Sequence, residues 1–281
     1  MSGLRVTCRQ LVHIYRSVAG DVVALSGVDL DIAPGETAAL IGPSGSGKST
    51  LIALLAGLTR PSAGRVMVGT TELGKLSERE LAGLRGTAIG VVVQGAERNL
   101  LAHLSLRDNV WLAQRRAVDQ QREVDPPERI LHLLGLGAQG GELVGRLPAG
   151  ARQRAALAVG IAAGPGLLLV DEPTSQLDTA ARDEVMSALE TVNAARGTTI
   201  VVVTHDPAVG ARLGRVITIR DGRVGAEGRG GRDFAVVAGD GTVQLPPEVL
   251  GALPPGTLLE VDFADGRLSM LPNDRGAEPP S

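Results

Sequence analysis

One glycine-rich stretch restricts the fold of this chain more than any other feature. It runs Gly42, Pro43, Ser44, Gly45, Ser46, Gly47, Lys48, Ser49 and Thr50, and the preceding residues 36–41 have the apolar pattern of a buried strand. A strand, such a loop and a helix in this order surround a phosphate with backbone N–H groups. The Lys48 ammonium then reaches the terminal phosphates, and the Ser49 hydroxyl is a ligand for Mg²⁺. The stretch therefore predicts an α/β fold that binds a nucleotide.

Length and composition restrict the class of protein further. With 281 residues, 43% of them hydrophobic, the chain is long enough for one large α/β domain and a small additional module. The net charge of −3 gives no sign of a surface for nucleic acid. The single cysteine, Cys8, excludes an internal disulfide. No secretion leader is recognisable, and glycine and proline interrupt the longest uncharged run, residues 155–170, so we expect a cytoplasmic protein.

Apolar patterns predict the order of the secondary structure. Residues 6–15 and 22–32 alternate as antiparallel strands do. Continuous apolar runs are typical of parallel strands covered on both faces, and they occupy residues 89–93, 167–170 and 199–203. Helices are expected over residues 49–58, 105–135 with a break at Pro126 and Pro127, and 180–194. This order predicts a mostly parallel core sheet with an antiparallel subdomain and a helical subdomain.

The composition changes after the predicted turn at Asp221 and Gly222. Residues 225–232 contain four glycines and predict a linker. Short strand-like runs follow it at residues 234–237, 242–245, 258–263 and 267–271. We therefore expect a large domain over residues 1–224, the linker, a small β-rich module over residues 233–271 and a disordered tail over residues 272–281.

Two carboxylates indicate which reaction the predicted nucleotide site could catalyse. Asp171 and Glu172 follow the apolar run 167–170. There Asp171 is placed to orient Mg²⁺ through its water shell, and Glu172 to polarise the attacking water. The simpler interpretation is a solvated strand end, and the phosphate loop alone leaves kinases, GTPases and motor-type ATPases open. The order of the next motifs, residues 173–178 and then His205 after another apolar run, decides among them.

Together these motifs resemble the ATPase subunit of ABC transporters. The resemblance covers residues 4 to about 224 and rests on GPSGSGKST, Gln94, the segment 147–154, LLLVDEPTSQLD and VVVTHD in this order. It implies a phosphate-loop ATPase of ABC type with ATP and Mg²⁺ as ligands. It also implies that Gln94 touches Mg²⁺ and communicates with a membrane partner, that Asp178 lies at a dimer interface, and that His205 contacts the γ-phosphate.

Tyr15 is the only tyrosine of the chain and lies 27 residues before Gly42. At this place the resemblance implies an aromatic ring that stacks on adenine. Stacking of a base on an aromatic side chain contributes about 1–3 kcal/mol. Packing in the core is the alternative for Tyr15, and we expect stacking.

The chain departs from the family pattern at the signature, which in family members reads Leu-Ser-Gly-Gly-Gln. The corresponding residues are Leu147, Pro148, Ala149, Gly150 and Ala151. Pro148 supplies neither a hydroxyl nor an N–H group, and Ala149 adds a Cβ where glycine allows close approach. Since the signature acts on the nucleotide of the other subunit, a homodimer would have two impaired sites. We hypothesise a heterodimer, in which a partner with a complete signature leaves one competent site.

Three functions remain open. The leading one is an energy-coupling subunit, peripheral on the inner face of the cell membrane, that binds a permease; the segment between Tyr15 and Val22 is most similar to the lipoprotein-release and macrolide-export branch. The second is a nucleotide-gated regulatory or scaffold subunit that binds ATP with little hydrolysis. The third, a soluble ABC protein of DNA repair or translation, is disfavoured because the chain has one cassette and no long coiled-coil insertion.

The C-terminal module weakly resembles the swapped-hairpin fold of bacterial transition-state regulators, which often bind DNA as dimers. From Asp233 to Ser281 this copy has eight acidic residues and two arginines, a net charge of −6. It lacks the basic surface that DNA requires. We expect dimerisation or regulation from the module, and no nucleic acid as a partner.

Overall fold

The computed structural model describes residues 3–17, 20–229, 232–237, 241–243, 245, 249, 253 and 257–272. The strands are β1 (Val6–Tyr15), β2 (Val22–Ile32), β3 (Thr37–Ile41), β4 (Ala63–Val68), β5 (Thr71–Glu72), β6 (Ile89–Val92), β7 (Leu167–Asp171), β8 (Thr199–Val203), β9 (Arg215–Arg220), β10 (Arg223–Arg229), β11 (Arg232–Ala235), β12 (Leu259–Ala264) and β13 (Arg267–Pro272). The helices are α1 (Lys48–Leu55), α2 (Glu78–Arg85), α3 (Leu106–Asp119), α4 (Pro127–Leu133), α5 (Ala149–Ile161), α6 (Thr179–Arg196) and α7 (Pro207–Arg212).

The strands form three sheets, of which the largest has the order β11-β10-β9-β3-β8-β7-β6. In it β6, β7, β8, β3 and β9 run parallel, β10 pairs antiparallel with β9, and β11 pairs antiparallel with β10. A second, antiparallel sheet has the order β2-β1-β4-β5, and β12 pairs with β13. The predicted fold class, a mostly parallel core sheet with an antiparallel subdomain and a helical subdomain, is confirmed.

Both faces of the central strands are covered by apolar packing. On one face Leu168 and Val202 pack with residues of α3 to α6. On the other face Leu169 and Val201 pack with α1 and with the antiparallel sheet. Because a strand between two layers has no solvent side, all five residues of β8 are buried, which explains the continuous apolar runs in the sequence.

The helical subdomain follows the predicted break. α3 begins after Ser105, whose hydroxyl accepts a hydrogen bond from the Asp108 N–H at 3.1 Å, and α4 begins after Pro126. Within the described residues, no helix is long and apolar enough to cross a membrane.

The predicted linker over residues 225–232 forms strands instead. Its described residues belong to β10 and β11, which extend the largest sheet. Besides the backbone pairing with β9, a largely buried ion pair anchors this segment: Glu227 in β10 accepts a hydrogen bond from Arg215 Nη2 at 2.8 Å. The second amino group, Nη1, donates to the Asp31 carbonyl at 2.7 Å and to Glu36 at 3.1 Å. Glycine content alone gives no information on such a long-range pair.

In the predicted β-rich module, β12 and β13 form the hairpin that the last two apolar runs predict. Residues 242–245 do not form a strand over their described positions, where only Val243 makes an isolated bridge, to Val237. Residues 273–281 of the predicted tail lie outside the described residues.

We expect replacement of Arg215 by alanine to destabilise the fold strongly. The Arg215 side chain is 5% exposed, and its loss leaves Glu36 and Glu227 partly buried and short of a countercharge. Breaking a buried ion pair from one side costs about 3–5 kcal/mol. Arg229→Ala is the matched control, because Arg229 also pairs with Glu227 but is 55% exposed, and exposed pairs contribute at most about 1 kcal/mol. Equal losses of stability in denaturant unfolding would contradict the central role of Arg215.

Candidate functional site

Three neighbouring parallel strands end at the same edge of the largest sheet. β3 ends at Ile41, β8 at Val203 and β7 at Asp171. Each is followed by polar residues: the glycine-rich loop after β3, His205 after β8 and Glu172 after β7. Parallel α/β sheets bind ligands at the carboxyl ends of their strands. The topology therefore gathers the predicted site residues from distant parts of the sequence.

The loop between β3 and α1 has a backbone that requires glycine. The φ angles of Gly42, Gly45 and Gly47 are 152°, 79° and 101°. A Cβ on Gly42 would collide with the carbonyl oxygen of Ile219, and one on Gly47 with the carbonyl oxygen of Ala24. Both positions thus exclude larger residues by space as well as by backbone conformation.

The Lys48 ammonium is held inside this loop. Nζ donates to the carbonyl oxygens of Gly42 and Pro43, both at 2.8 Å, and the residue is 8% exposed. Burial lowers the pKa of Lys48, and the charges of Glu172 and Asp171 oppose this shift. A cation that has lost part of its hydration is well suited to bind a phosphate.

The two carboxylates differ in their surroundings. Burial raises the pKa of Asp171, the charge of Glu172 raises it further, and Lys48 acts in the opposite direction. Glu172 has φ of 48°, a left-handed conformation that costs a non-glycine residue about 1–3 kcal/mol. Its N–H donates to the Val203 carbonyl at 2.9 Å, and its Oε1 lies 2.8 Å from His205 Nδ1. The strained backbone and the histidine together fix the direction of the Glu172 carboxylate.

One cavity of about 490 Å³ contains most of the predicted site. Ligand sites commonly measure about 300–1,000 Å³. The predicted residues that line it are Tyr15, Gly42, Ser44, Gly45, Ser46, Gly47, Lys48, Ser49, Thr50, Gln94, Asp171, Glu172 and His205. Pro43 does not line it and contributes its carbonyl to Lys48 instead. Sequence reasoning missed Val22, Val23 and Ala24 of β2, although two exposed valines at the start of a strand are a signal that could have indicated them.

Gln94 lies just after β6, in a turn that one asparagine holds. Asn99 Oδ1 accepts from the Val93 N–H at 2.9 Å, and its Nδ2 donates to the carbonyls of Val93 at 2.8 Å and Gly95 at 2.9 Å. The asparagine side chain thus fixes the backbone on both sides of Gln94. No signal in the sequence pointed to Asn99.

The signature residues lie elsewhere. Leu147, Gly150 and Ala151 are buried, whereas Pro148 and Ala149 are exposed at the start of α5, which has no side-chain N-cap. Ala149 lines a separate cavity of about 350 Å³, which also includes Gln94 and residues 175–177. Within this chain, the structure does not bring the signature together with the glycine-rich loop.

Asp178 also lies outside the cavity. Its Oδ1 accepts a hydrogen bond from the Ala181 N–H at 2.8 Å and so caps α6. The aspartate is exposed. The cap explains the residue type at this position through helix stability alone.

Comparisons with known proteins agree with this geometry. The family model described as ABC transporter matches residues 25–175. The lipoprotein-releasing system ATP-binding protein LolD of Anaeromyxobacter dehalogenans (strain 2CP-C) is 42% identical over 217 residues, which are 75% of this chain and 89% of that protein. The macrolide export ATP-binding/permease protein MacB of Chromobacterium violaceum is 40% identical over 227 residues. These residues are 80% of this chain but only 34% of MacB, which is a longer protein.

A solved structure resembles the fold as well. The dimeric structure of a post-hydrolysis state of the ATP-binding cassette MJ0796, bound to ADP and Pi, has a TM-score of 0.71 and 31% sequence identity. The match covers 82% of this chain and 100% of that one. By sequence, by fold and by the arrangement of its phosphate loop, the chain belongs to the ABC transporter family, as an ATP-binding subunit with ATPase activity.

Proposed function

We propose that this chain hydrolyses ATP for a transporter whose permease is a separate protein, and that it lies against that permease at the inner face of the cell membrane. One observation carries the proposal: a single cavity contains the phosphate loop, Asp171, Glu172 and His205. The relatives support it, since LolD is named the ATP-binding protein of a lipoprotein-releasing system and MacB an ATP-binding/permease protein. These names favour a transporter subunit over the nucleotide-gated regulatory alternative.

The phosphate loop binds the triphosphate in this proposal. Helix α1 begins at Lys48, and the N–H groups of its first turn, which have no partner within the helix, are available to the phosphate oxygens together with its positive end. On binding, the Lys48 ammonium exchanges the carbonyls of Gly42 and Pro43 for phosphate oxygens. The charge of the phosphates then stabilises the protonated amine, opposing the effect of burial on its pKa.

The donor atoms of the cavity fit Mg²⁺. The Ser49 hydroxyl, the Asp171 carboxylate and the Gln94 amide are oxygen ligands that line one site next to the loop. Ser49 and Gln94 would hold the ion directly, and Asp171 would hold its water shell. When bound, Mg²⁺ neutralises charge on the phosphate oxygens.

Glu172 is the general base of the proposed mechanism. Its carboxylate accepts a proton from the water that attacks the γ-phosphorus, so the P–O bond to ADP breaks as the bond to the water oxygen forms. His205, 2.8 Å away, keeps the carboxylate in one orientation. In this proposal its ring also donates to the γ-phosphate. Tyr15, 48% exposed beside Val22 and Val23, offers a flat apolar surface to the adenine.

We expect Glu172→Gln to slow ATP hydrolysis by about a hundredfold or more, because an amide cannot accept the proton, while ATP binding is retained. Turnover at saturating ATP and equilibrium binding of ATP measure the two effects separately. Glu142→Gln, at an exposed position outside the cavity, serves as the control. Loss of ATP binding together with turnover would argue against the role of Glu172 as a base.

We expect Asn99→Ala to raise the Mg²⁺ concentration needed for half-maximal turnover. The substitution removes the three hydrogen bonds that fix Val93 and Gly95, the residues on either side of Gln94. The control is Asn109→Ala, because Asn109 makes a similar set of bonds to Leu101 and Ser105 away from the cavity. The shift should vanish when Gln94 is already alanine. An equal shift in the Asn109 variant would mean that general destabilisation causes it.

We propose further that the active assembly is a heterodimer with a second ATPase of complete signature. The support is an asymmetry within this chain. The phosphate loop, the carboxylates and His205 are complete and share one cavity, whereas the altered positions Pro148 and Ala149 lie outside it. The proline supplies no hydroxyl to a γ-phosphate, and a hydrogen bond to a charged group contributes about 1.5–3 kcal/mol.

Restoring the serine and the first glycine of the signature should therefore raise the turnover of the chain alone. We expect the double substitution Pro148→Ser and Ala149→Gly to increase it about ten- to a hundredfold. Pro126→Ser is the matched control, because Pro126 likewise precedes a helix without a side-chain cap. Rapid hydrolysis by the unaltered chain alone, or no gain in the double variant, would contradict the heterodimer.

A further inference from the structure

His13 lies behind the proposed adenine site. It is two residues before Tyr15 on β1, so the two side chains emerge on the same face of the strand. The ring centroids are 4.6 Å apart, and the ring planes are nearly perpendicular at 84°. This is the edge-to-face geometry that aromatic pairs prefer.

The environment of His13 is unusual for a residue with only a packing role. The histidine is 7% exposed, and its Nδ1 has no hydrogen-bond partner. An unpaired buried nitrogen is unfavourable, and an aliphatic side chain would fill the same space without it. An aliphatic residue at position 13 could not place a flat ring beside Tyr15, whereas histidine does.

Tyr15 is also held from a second side. Its hydroxyl lies 3.2 Å from Thr50 Oγ1, in α1. The hydroxyl end of the Tyr15 ring is thus held by Thr50, the last residue of the glycine-rich stretch, and the body of the ring is held by His13. A ring that is fixed before the nucleotide arrives loses less conformational entropy on binding.

From these contacts we infer that His13 is a positioning residue, which holds the ring of Tyr15 in the orientation that stacks on a purine base. The inference rests on the proposed stacking of adenine on Tyr15. It adds a specific claim: the binding of the base depends on an aromatic ring at position 13, whereas the binding of the phosphates does not.

The test compares His13→Leu, His13→Phe and Tyr15→Ala in the full chain. Dissociation constants are measured for ATP and for inorganic tripolyphosphate, which has no base. We expect His13→Leu to weaken ATP binding about two- to tenfold, without changing tripolyphosphate binding. His13→Phe keeps an edge-to-face ring and should retain the affinity for ATP.

A spectroscopic measurement reports on Tyr15 directly. Because Tyr15 is the only tyrosine, isotope labelling of tyrosine rings gives the signals of this residue alone in nuclear magnetic resonance. His13→Leu should move these signals towards those of a freely rotating ring, and His13→Phe should not.

The outcomes separate the two claims. If Tyr15→Ala weakens ATP binding but His13→Leu does not, the positioning role is wrong and stacking stands. If Tyr15→Ala has no effect, stacking itself is wrong, and the role of His13 is wrong with it. Equal weakening of ATP and tripolyphosphate by His13→Leu, or the same loss in His13→Phe, would show a merely structural role and overturn the inference.

Discussion

The burial of a parallel sheet on both faces is the constraint on which the rest of this structure depends. β7, β8 and β3 have no solvent side, so their sequences are almost entirely apolar and polar groups occur only at their first or last residues and beyond them. Since parallel strands end at one edge, the polar groups that follow them meet there. The chemistry of the site is in this sense a consequence of how the core excludes water.

Electrostatics within the site follow from the same exclusion of water. Burial disfavours both charged groups, lowering the pKa of Lys48 and raising that of Asp171, while each of the two charges stabilises the other. The site thus contains opposite charges that compensate one another incompletely. A triphosphate brings negative charge to the lysine, and the cation proposed beside it would bring positive charge to the carboxylates.

The sequence predicted most of the residues that line the cavity, because its motifs are local and their residue types have few other uses. The loop requires glycine at Gly42 and Gly47 for reasons of space, and acids that follow a wholly apolar strand stand out from their surroundings. The sequence did not predict the roles of Asn99 and Arg215, because their hydrogen bonds depend on how the chain folds back on itself. A glycine count predicted a linker where Glu227 reaches a buried arginine, which no local pattern encodes.

The guanidinium of Arg215 joins three regions that the motifs treat as separate. It binds the Asp31 carbonyl in the antiparallel subdomain, Glu36 at the entrance to the phosphate-loop strand, and Glu227 beyond the last motif. A fragment cut at residue 224, where the family resemblance ends, would retain every catalytic motif but lose one of the arginine's two carboxylates. The set of contacts that Arg215 holds together therefore extends past residue 224, beyond the last recognisable motif.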